Sequence, residues 1–288
     1  MRLRKSMLPP FGCCVPLLLL LSGVFGSLWA FSAGREWQAA PHWELSWQDE
    51  FDQPDGSRPN PAKWTYDLGG NGWGNRELEA YTDREKNAHI ERGTLVITAL
   101  REHFTGSDGT ARDYTSARLK TIGHFSQKYG RFEARIKVPQ GQGMWPAFWM
   151  LGDDIARVGW PQCGEIDVME NVGKEPGMVH GSLHGSDRGT LPKDLMQTFA
   201  LPAGQSFSDD FHIFAVEWQP EQIRFFVDSS LYASFDPRTS DHASWVFDHP
   251  FFIVLNLAIG GDWPGSPDAT TQFPRSMLVD YVRVYTAH

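Results

Sequence analysis

Residues 129–138 read Tyr-Gly-Arg-Phe-Glu-Ala-Arg-Ile-Lys-Val, with Phe132, Ala134, Ile136 and Val138 at even positions and Arg131, Glu133, Arg135 and Lys137 between them. Successive side chains of a strand point to opposite faces, so this segment is a strand with one apolar and one charged face. Working outward, residues 94–100 (TLVITAL), 211–218, 223–228, 251–257 and 277–285 are further β-branched or aromatic runs bounded by turn residues. A convincing 3.6-residue period is absent, apart from short turns near residues 61–63 and 192–196. Many short strands with regular turn signals predict an all-β fold, an antiparallel sandwich or jelly roll.

Composition narrows the function. The chain has 288 residues, 12 Trp, 28 Gly, three Cys and a formal net charge of −9. That length suits one or two domains, and a single β-sandwich can use most of it. The acidic balance argues against a nucleic-acid partner, which would require a basic stripe. Nothing in the sequence calls for an obligate protein partner. A Trp surplus on an acidic, Gly-rich chain points to sugar, because indole faces stack on the C–H faces of pyranose rings.

Arg2, Arg4 and Lys5 precede a stretch from residue 11 to residue 33 without a charge. This is the pattern of a signal peptide over residues 1–33, long enough to act as a membrane anchor if uncut. The expected localisation is therefore secreted, extracellular or periplasmic, and membrane-anchored without cleavage. Removing those three positive charges and no acid takes the net charge from −9 to −12. Residues 34–42 read as a linker and 43–288 as one catalytic domain. Cys13 and Cys14 belong to the leader, so Cys163 is alone, without an internal disulfide and expected to be a buried, inert thiol.

The chemistry sits in residues 164–171, Gly-Glu-Ile-Asp-Val-Met-Glu-Asn. On a regular strand Glu165, Asp167 and Met169 share a face and Glu170 points away. One extra residue, a β-bulge between Asp167 and Glu170, returns Glu170 to the face of Glu165 and Asp167. Three acids on one face repel one another, raising at least one pKa while another stays ionised. Glycoside hydrolysis needs that split: a neutral acid for the leaving oxygen and an anion for the anomeric carbon. A flat strand would place the two Glu Cα atoms about 13 Å apart. The sheet must therefore curve for the carboxyl groups to reach the roughly 5–5.5 Å of a retaining pair. The plain alternative is a solvated acidic strand, which Ile166, Val168, Met169 and the upstream Trp145, Trp149 and Trp160 disfavour.

Residues 164–170 resemble the bulged active-site strand of glycoside hydrolase family 16, specifically its laminarinase-like endo-β-1,3-glucanases. Further matching segments follow in order: Trp73-Gly74-Asn75-Arg76-Glu77, residues 114–118 (YTSAR), residues 144–150 (MWPAFWM), residues 255–265 (LNLAIGGDWPG) and residues 279–285 (VDYVRVY). The resemblance implies a concanavalin-like antiparallel β-jelly-roll sandwich that cleaves β-1,3-glucan by double displacement. By that match Glu165 is the nucleophile, Glu170 the general acid/base and Asp167 the residue that tunes them. It also implies no cofactor for catalysis. Alternatives are a family-16 enzyme acting on mixed-linkage glucan or algal galactan, and a non-catalytic β-glucan recognition protein, which the three acids disfavour.

The same resemblance places Trp145, Trp160 and Trp263 at the cleft, and Asn75 and Arg118 on sugar hydroxyls beside the cut. Trp149 alternates with Phe148, so one of the two must face the core. His180 and His184 are spaced H-x-x-x-H, but the surrounding glycines argue for a strand and against zinc, with His184 at the cleft. Asn256 is a buried amide in an apolar strand, serving either the core or the cleft. Glu50, Gly93 and Asp280 match a structural Ca²⁺ site, whose oxygen ligands suit that ion. Asp262 stands where the family commonly has Asn, and Glu79-Ala80 where Gln-Tyr is frequent. The remaining tryptophans, Trp73 among them, default to core, rim or linker.

Overall fold

A computed structural model of the chain describes residues 42–106, 108–185, 195–237 and 245–288. The leader and nearly all of the expected linker lie outside the described residues. The chain divides into a unit Met1–Ala40 and a unit Pro41–His288, and the second carries the fold. Among the described residues no helix is long and apolar enough to cross a membrane.

The fold is a sandwich of two sheets. The 7-stranded sheet runs β12 (Met196–Ala200), β11 (Met178–His184), β10 (Glu165–Glu170), β9 (Met144–Gly152), β16 (Phe251–Ile259), β7 (Arg118–Lys120), β2 (Thr65–Asp67). The 10-stranded sheet runs β15 (Ser230–Phe235), β14 (Gln222–Val227), β13 (His212–Gln219), β8 (Gly130–Lys137), β17 (Arg275–Ala287), β5 (Thr94–Thr105), β6 (Ala111–Ser116), β3 (Glu79–Tyr81). Two further strands join it, β1 (Trp43–Asp49) on β17 and β4 (Ala88–Glu91) on β5. All pairings are antiparallel except β3 with β6, because β3 enters from a loop at the cleft rim instead of a hairpin.

One apolar core joins the sheets. Met144, Phe148 and Met150 of β9, Ile166, Val168 and Met169 of β10 and Leu255 and Leu257 of β16 meet Phe132, Ala134 and Ile136 of β8 and Phe214 and Val216 of β13. The alternation read in residues 129–138 is thus one wall of this core. Its charged side is covered more than a solvated face would be: Glu133 is buried and ion-paired with Arg131, which also reaches Glu217. With one face of the 7-stranded sheet in the core, the alternate positions of β9, β10, β11 and β16 face away and can carry a site.

Two residues within the 7-stranded sheet fit for specific reasons. Gly181 of β11 faces Tyr232 and Phe225, and a Cβ there would lie 2.4 Å from the Tyr232 hydroxyl. Pro146, inside β9, has no N–H to give, and its carbonyl accepts from the Asn171 amide just beyond the end of β10. The expected turn at residues 61–63 is present. Met196 instead opens β12, residues 192–194 being outside the described set. The one α-helix among the described residues, α1 (Ile155–Val158), was not anticipated: four residues are too few to show a period. It packs with Leu151, Cys163, Phe252 and Val254 in a small second apolar cluster on the outward face. Cys163 is buried there, and burial together with the charges of Glu165 and Asp154 pushes its thiol up to about 11, which makes it inert.

Candidate active site

The site grows from an irregularity in β10. Glu165, Ile166 and Asp167 pair with His184, Leu183 and Ser182 of β11, and then the register shifts before Glu170 pairs with His180. Against β9 a shift falls between Asp167 and Met169. Val168 and Met169 both turn into the core, and Glu170 returns to the side of Glu165 and Asp167. This is the bulge the spacing of the acids required. Gly164, at φ 73, starts the strand where a Cβ would lie 2.7 Å from the Phe251 ring.

The three acids form the floor of a cleft of about 590 Å³. Trp145, Ala147, Trp149 and Leu151 line it from β9, Ser182 and His184 from β11, Asn256 and Ala258 from β16, and Arg118 from β7. Trp160 and Trp263 also line it, beside Glu165 and Trp145 respectively, and Trp73, Asn75 and Glu77 join from a loop before β3. The cleft thus brings together all seven residues expected to bind sugar: Asn75, Arg118, Trp145, Trp149, Trp160, His184 and Trp263. Phe148 takes the core and Trp149 the cleft, which resolves their alternation. Asn256 does both jobs, lining the cleft while accepting from Trp149 Nε1 at 2.7 Å and donating to Tyr81 at 3.1 Å.

Each carboxyl group has its own partners. Trp160 Nε1 donates to Glu165 at 2.8 Å, and Trp145 Nε1 donates to Glu170 at 3.0 Å. Ser182 Oγ donates to Asp167 at 2.6 Å and lies 3.4 Å from Glu170, while His184 Nε2 is 3.1 Å from Asp167. Burial, then the Asp167 charge, raises both glutamates: Glu165 up to about 8 and Glu170 well above the carboxylate range. Burial alone would lower His184, but its hydrogen bond to Asp167 and the three surrounding carboxyl groups outweigh that and push it up to about 10. His184 is therefore a cation at neutral pH, paired with Asp167. The two glutamates therefore titrate as a coupled pair, each carboxyl group held by its own tryptophan N–H, an arrangement that suits a nucleophile and an acid. Glu165, Asp167 and His184 also stand close enough to offer ligand atoms to a metal ion. In the arrangement seen, the same three groups form a hydrogen-bonded triad, with His184 Nε2 on Asp167.

Neutralising Asp167 removes the charge that raises both glutamates. Asp167→Asn is therefore expected to move both limbs of the pH profile of kcat/KM to lower pH, read by initial rates across the pH range. Unmoved limbs would contradict that role.

Several cleft residues were not anticipated. Trp73, assigned by default to core or rim, lines the cleft, and its ring and that of Trp149 flank the Arg118 guanidinium at 4.9 and 4.7 Å. Its loop carries positive φ at Gly72 and Gly74, which glycine adopts freely, and at Trp73 and Arg76, where it is strain of the kind that gathers at functional sites. Glu77, Ser182 and Met196 also line the cleft. Ser182 could have been found from parity, since it lies between His180 and His184 on one strand face. Trp263 packs edge-on against Trp145 and His180, which fixes its indole in the cleft wall.

On the other sheet, β17 carries Asp280 between β1 and β5, so the register brings the positions of Glu50, Gly93 and Asp280 towards one another. Arg283 donates to both Glu50 oxygens at 2.8 Å, and Arg135 donates to Asp280 at 2.8 Å. A divalent cation there would have to displace at least one guanidinium group.

Comparison with known proteins agrees with this geometry. The family model for Glycosyl hydrolases family 16 matches residues 76–283. The Beta-glucanase of Rhodothermus marinus is 46% identical over 264 residues, covering 85% of this chain and 86% of that protein. The laminarinase catalytic domain from Thermotoga maritima MSB8 superposes with a TM-score of 0.78 at 46% identity, covering 85% of this chain and 99% of that one. The endo-β-1,3-glucanase from Pyrococcus furiosus gives 0.79 at 46% identity, covering 86% and 96%.

Proposed function

The chain belongs to glycosyl hydrolase family 16, and from that premise we propose that its cleft works with Glu165 as nucleophile and Glu170 as general acid/base. The enzyme is a retaining endo-β-1,3-glucanase of the laminarinase type. The observation that carries the assignment is the β10 bulge, which gathers Glu165, Asp167 and Glu170 on the floor of a tryptophan-walled cleft.

In the first step Glu165 attacks the anomeric carbon while Glu170 protonates the glycosidic oxygen. The C–O bond to the leaving chain breaks and an ester to Glu165 forms. In the second, Glu170, now a carboxylate, takes a proton from water, whose oxygen attacks the same carbon and frees Glu165. Two inversions give retention. The Trp160 N–H stabilises the Glu165 carboxylate as it is released, and the Trp145 N–H holds Glu170 in line. Asp167, fixed by Ser182 and His184, lies between the two, and its charge raises both. The indoles of Trp73, Trp145, Trp149, Trp160 and Trp263 offer faces or edges to glucose rings, and Asn75 and Arg118 offer donors to hydroxyl groups.

Two further parts belong to the proposal. Residues 1–33 direct export, so the enzyme meets its polymer outside the cytoplasm. A structural calcium on Glu50, Gly93 and Asp280 would raise the melting temperature on addition of the ion, at the expense of an arginine pair. Substrate choice is tested by product analysis on laminarin, lichenan, agarose and carrageenan. Laminarin is expected to yield a ladder of short oligosaccharides at early times, with agarose and carrageenan untouched. Cleavage confined to a galactan would overturn the glucanase reading.

A further inference from the structure

Beside the catalytic acids lies a second carboxyl pair that the reaction above does not use. Glu79, in β3, is wholly buried, and Glu77 is nearly so. The Ile259 amide donates to Glu79 Oε2 at 2.6 Å, while Oε1 is buried with no N–H or O–H donor in reach. The neighbour of Glu79 is the Glu77 carboxyl group, itself an acceptor from Asn75 Nδ2 at 3.3 Å and from the Tyr81 hydroxyl at 2.8 Å. Among the described residues neither glutamate has a Lys, Arg or His within ion-pair distance. Two buried anions so placed would be untenable. One proton resolves both the orphaned oxygen and the repulsion.

We propose that Glu79 is a positioning residue that keeps its proton and donates it to the Glu77 carboxylate, and that this pair fixes the sugar-binding wall on the β16 side of the cleft. From Glu77 the hydrogen bonds run outward to Asn75, and through Tyr81 and Asn256 to Trp149. Both ends line the cleft. Burial and the Glu77 charge raise Glu79 well above the carboxylate range, which agrees with the geometry. The other ionisable groups around the pair are few. Tyr81 shares β3, and Arg118 approaches from β7 with Asp67 as its partner. From β16 come the Ile259 amide and Asn256, and Tyr114 of β6 stands opposite Glu79 in register with its ring on Phe273. At the rim Arg76 pairs with Asp262.

This inference rests on the glucanase reading for its kinetic arm alone. Glu79→Gln keeps the shape, accepts from the Ile259 amide and donates an amide N–H to Glu77 without a titratable proton. Glu79→Leu removes the donor. On laminarin, Glu79→Leu is expected to raise KM about tenfold with a smaller change in kcat. Glu79→Gln should hold KM near that of the wild type and abolish the alkaline rise in KM that loss of the shared proton causes. A Glu79→Leu enzyme with unchanged KM, or a Glu79→Gln enzyme whose KM still climbs with pH as in the wild type, overturns the proposal. Infrared difference spectra of the folded proteins at neutral pH test the proton without turnover. The band of one protonated carboxyl group should disappear in Glu79→Gln, and its persistence overturns the proposal even if laminarin is no substrate.

Discussion

Glu165→Gln is expected to lower kcat on laminarin by about 10⁴-fold or more, because an amide cannot attack the anomeric carbon and no other carboxyl group occupies its position. Binding of laminari-oligosaccharides should change little, since the tryptophan walls and Asn75 stay in place. The loss will not come from unfolding. Glu165 is raised from 4.5 to about 8 in the folded protein, chiefly by burial and then by Asp167. A carboxyl group raised on folding contributes stability below its unfolded value and loses that contribution as pH rises through the folded value. Between roughly pH 4.5 and 8 the native Glu165 therefore becomes a growing cost that Gln does not carry. The variant is expected to melt at or above the wild-type temperature at pH 7, read by calorimetry. Near-normal turnover in a well-folded Glu165→Gln enzyme would contradict the nucleophile assignment.

Removing the acid/base has a different signature. Glu170→Ala is expected to cost on the order of 10²–10⁴ in rate on laminarin, where the leaving sugar needs a proton. An aryl β-glucoside of laminaribiose with a strongly acidic phenol needs none, so its first step should be nearly unaffected and the glycosyl-enzyme should accumulate. Azide, which attacks without base assistance, should then restore turnover in the space left by the side chain. Its nitrogen bonds to the anomeric carbon as the Glu165 ester breaks, giving a β-glycosyl azide. An α-azide, or no rescue, would mean that Glu170 does not hold this role. Loss of the Trp145 N–H partner accompanies this change, so Trp145→Phe serves as the control that leaves Glu170 in place.

How far each feature could be read in the sequence depends on the range of the interaction that makes it. The bulge in β10 was legible because parity is a local property: Glu165 and Glu170 can share a face only if an extra residue intervenes, and Val168 and Met169 are the pair that turns inward together. The same parity on β9 shows why Trp145 and Trp149 flank the cleft while Phe148 enters the core. Trp73 escaped detection because its position depends on a left-handed loop, whose φ values at Gly72, Trp73, Gly74 and Arg76 leave no period to read. The path from Glu79 through Tyr81 and Asn256 to Trp149 was equally hidden. It joins strands far apart in sequence, and only the packing of the two sheets brings the Ile259 amide onto Glu79. Glu50 and Asp280 show the converse case: the register draws them together, but Arg283 and Arg135, whose pairing partners no spacing discloses, occupy their carboxyl groups.

The central claim is that Glu165 carries the glycosyl intermediate. A 2-deoxy-2-fluoro-β-laminaribiosyl fluoride should trap it, because the fluorine slows both steps and the fluoride leaves without acid assistance. Peptide mass spectrometry of the inactivated enzyme is expected to find the fluorinated disaccharide as an ester on Glu165. A label on Asp167 or Glu170 instead would contradict the account.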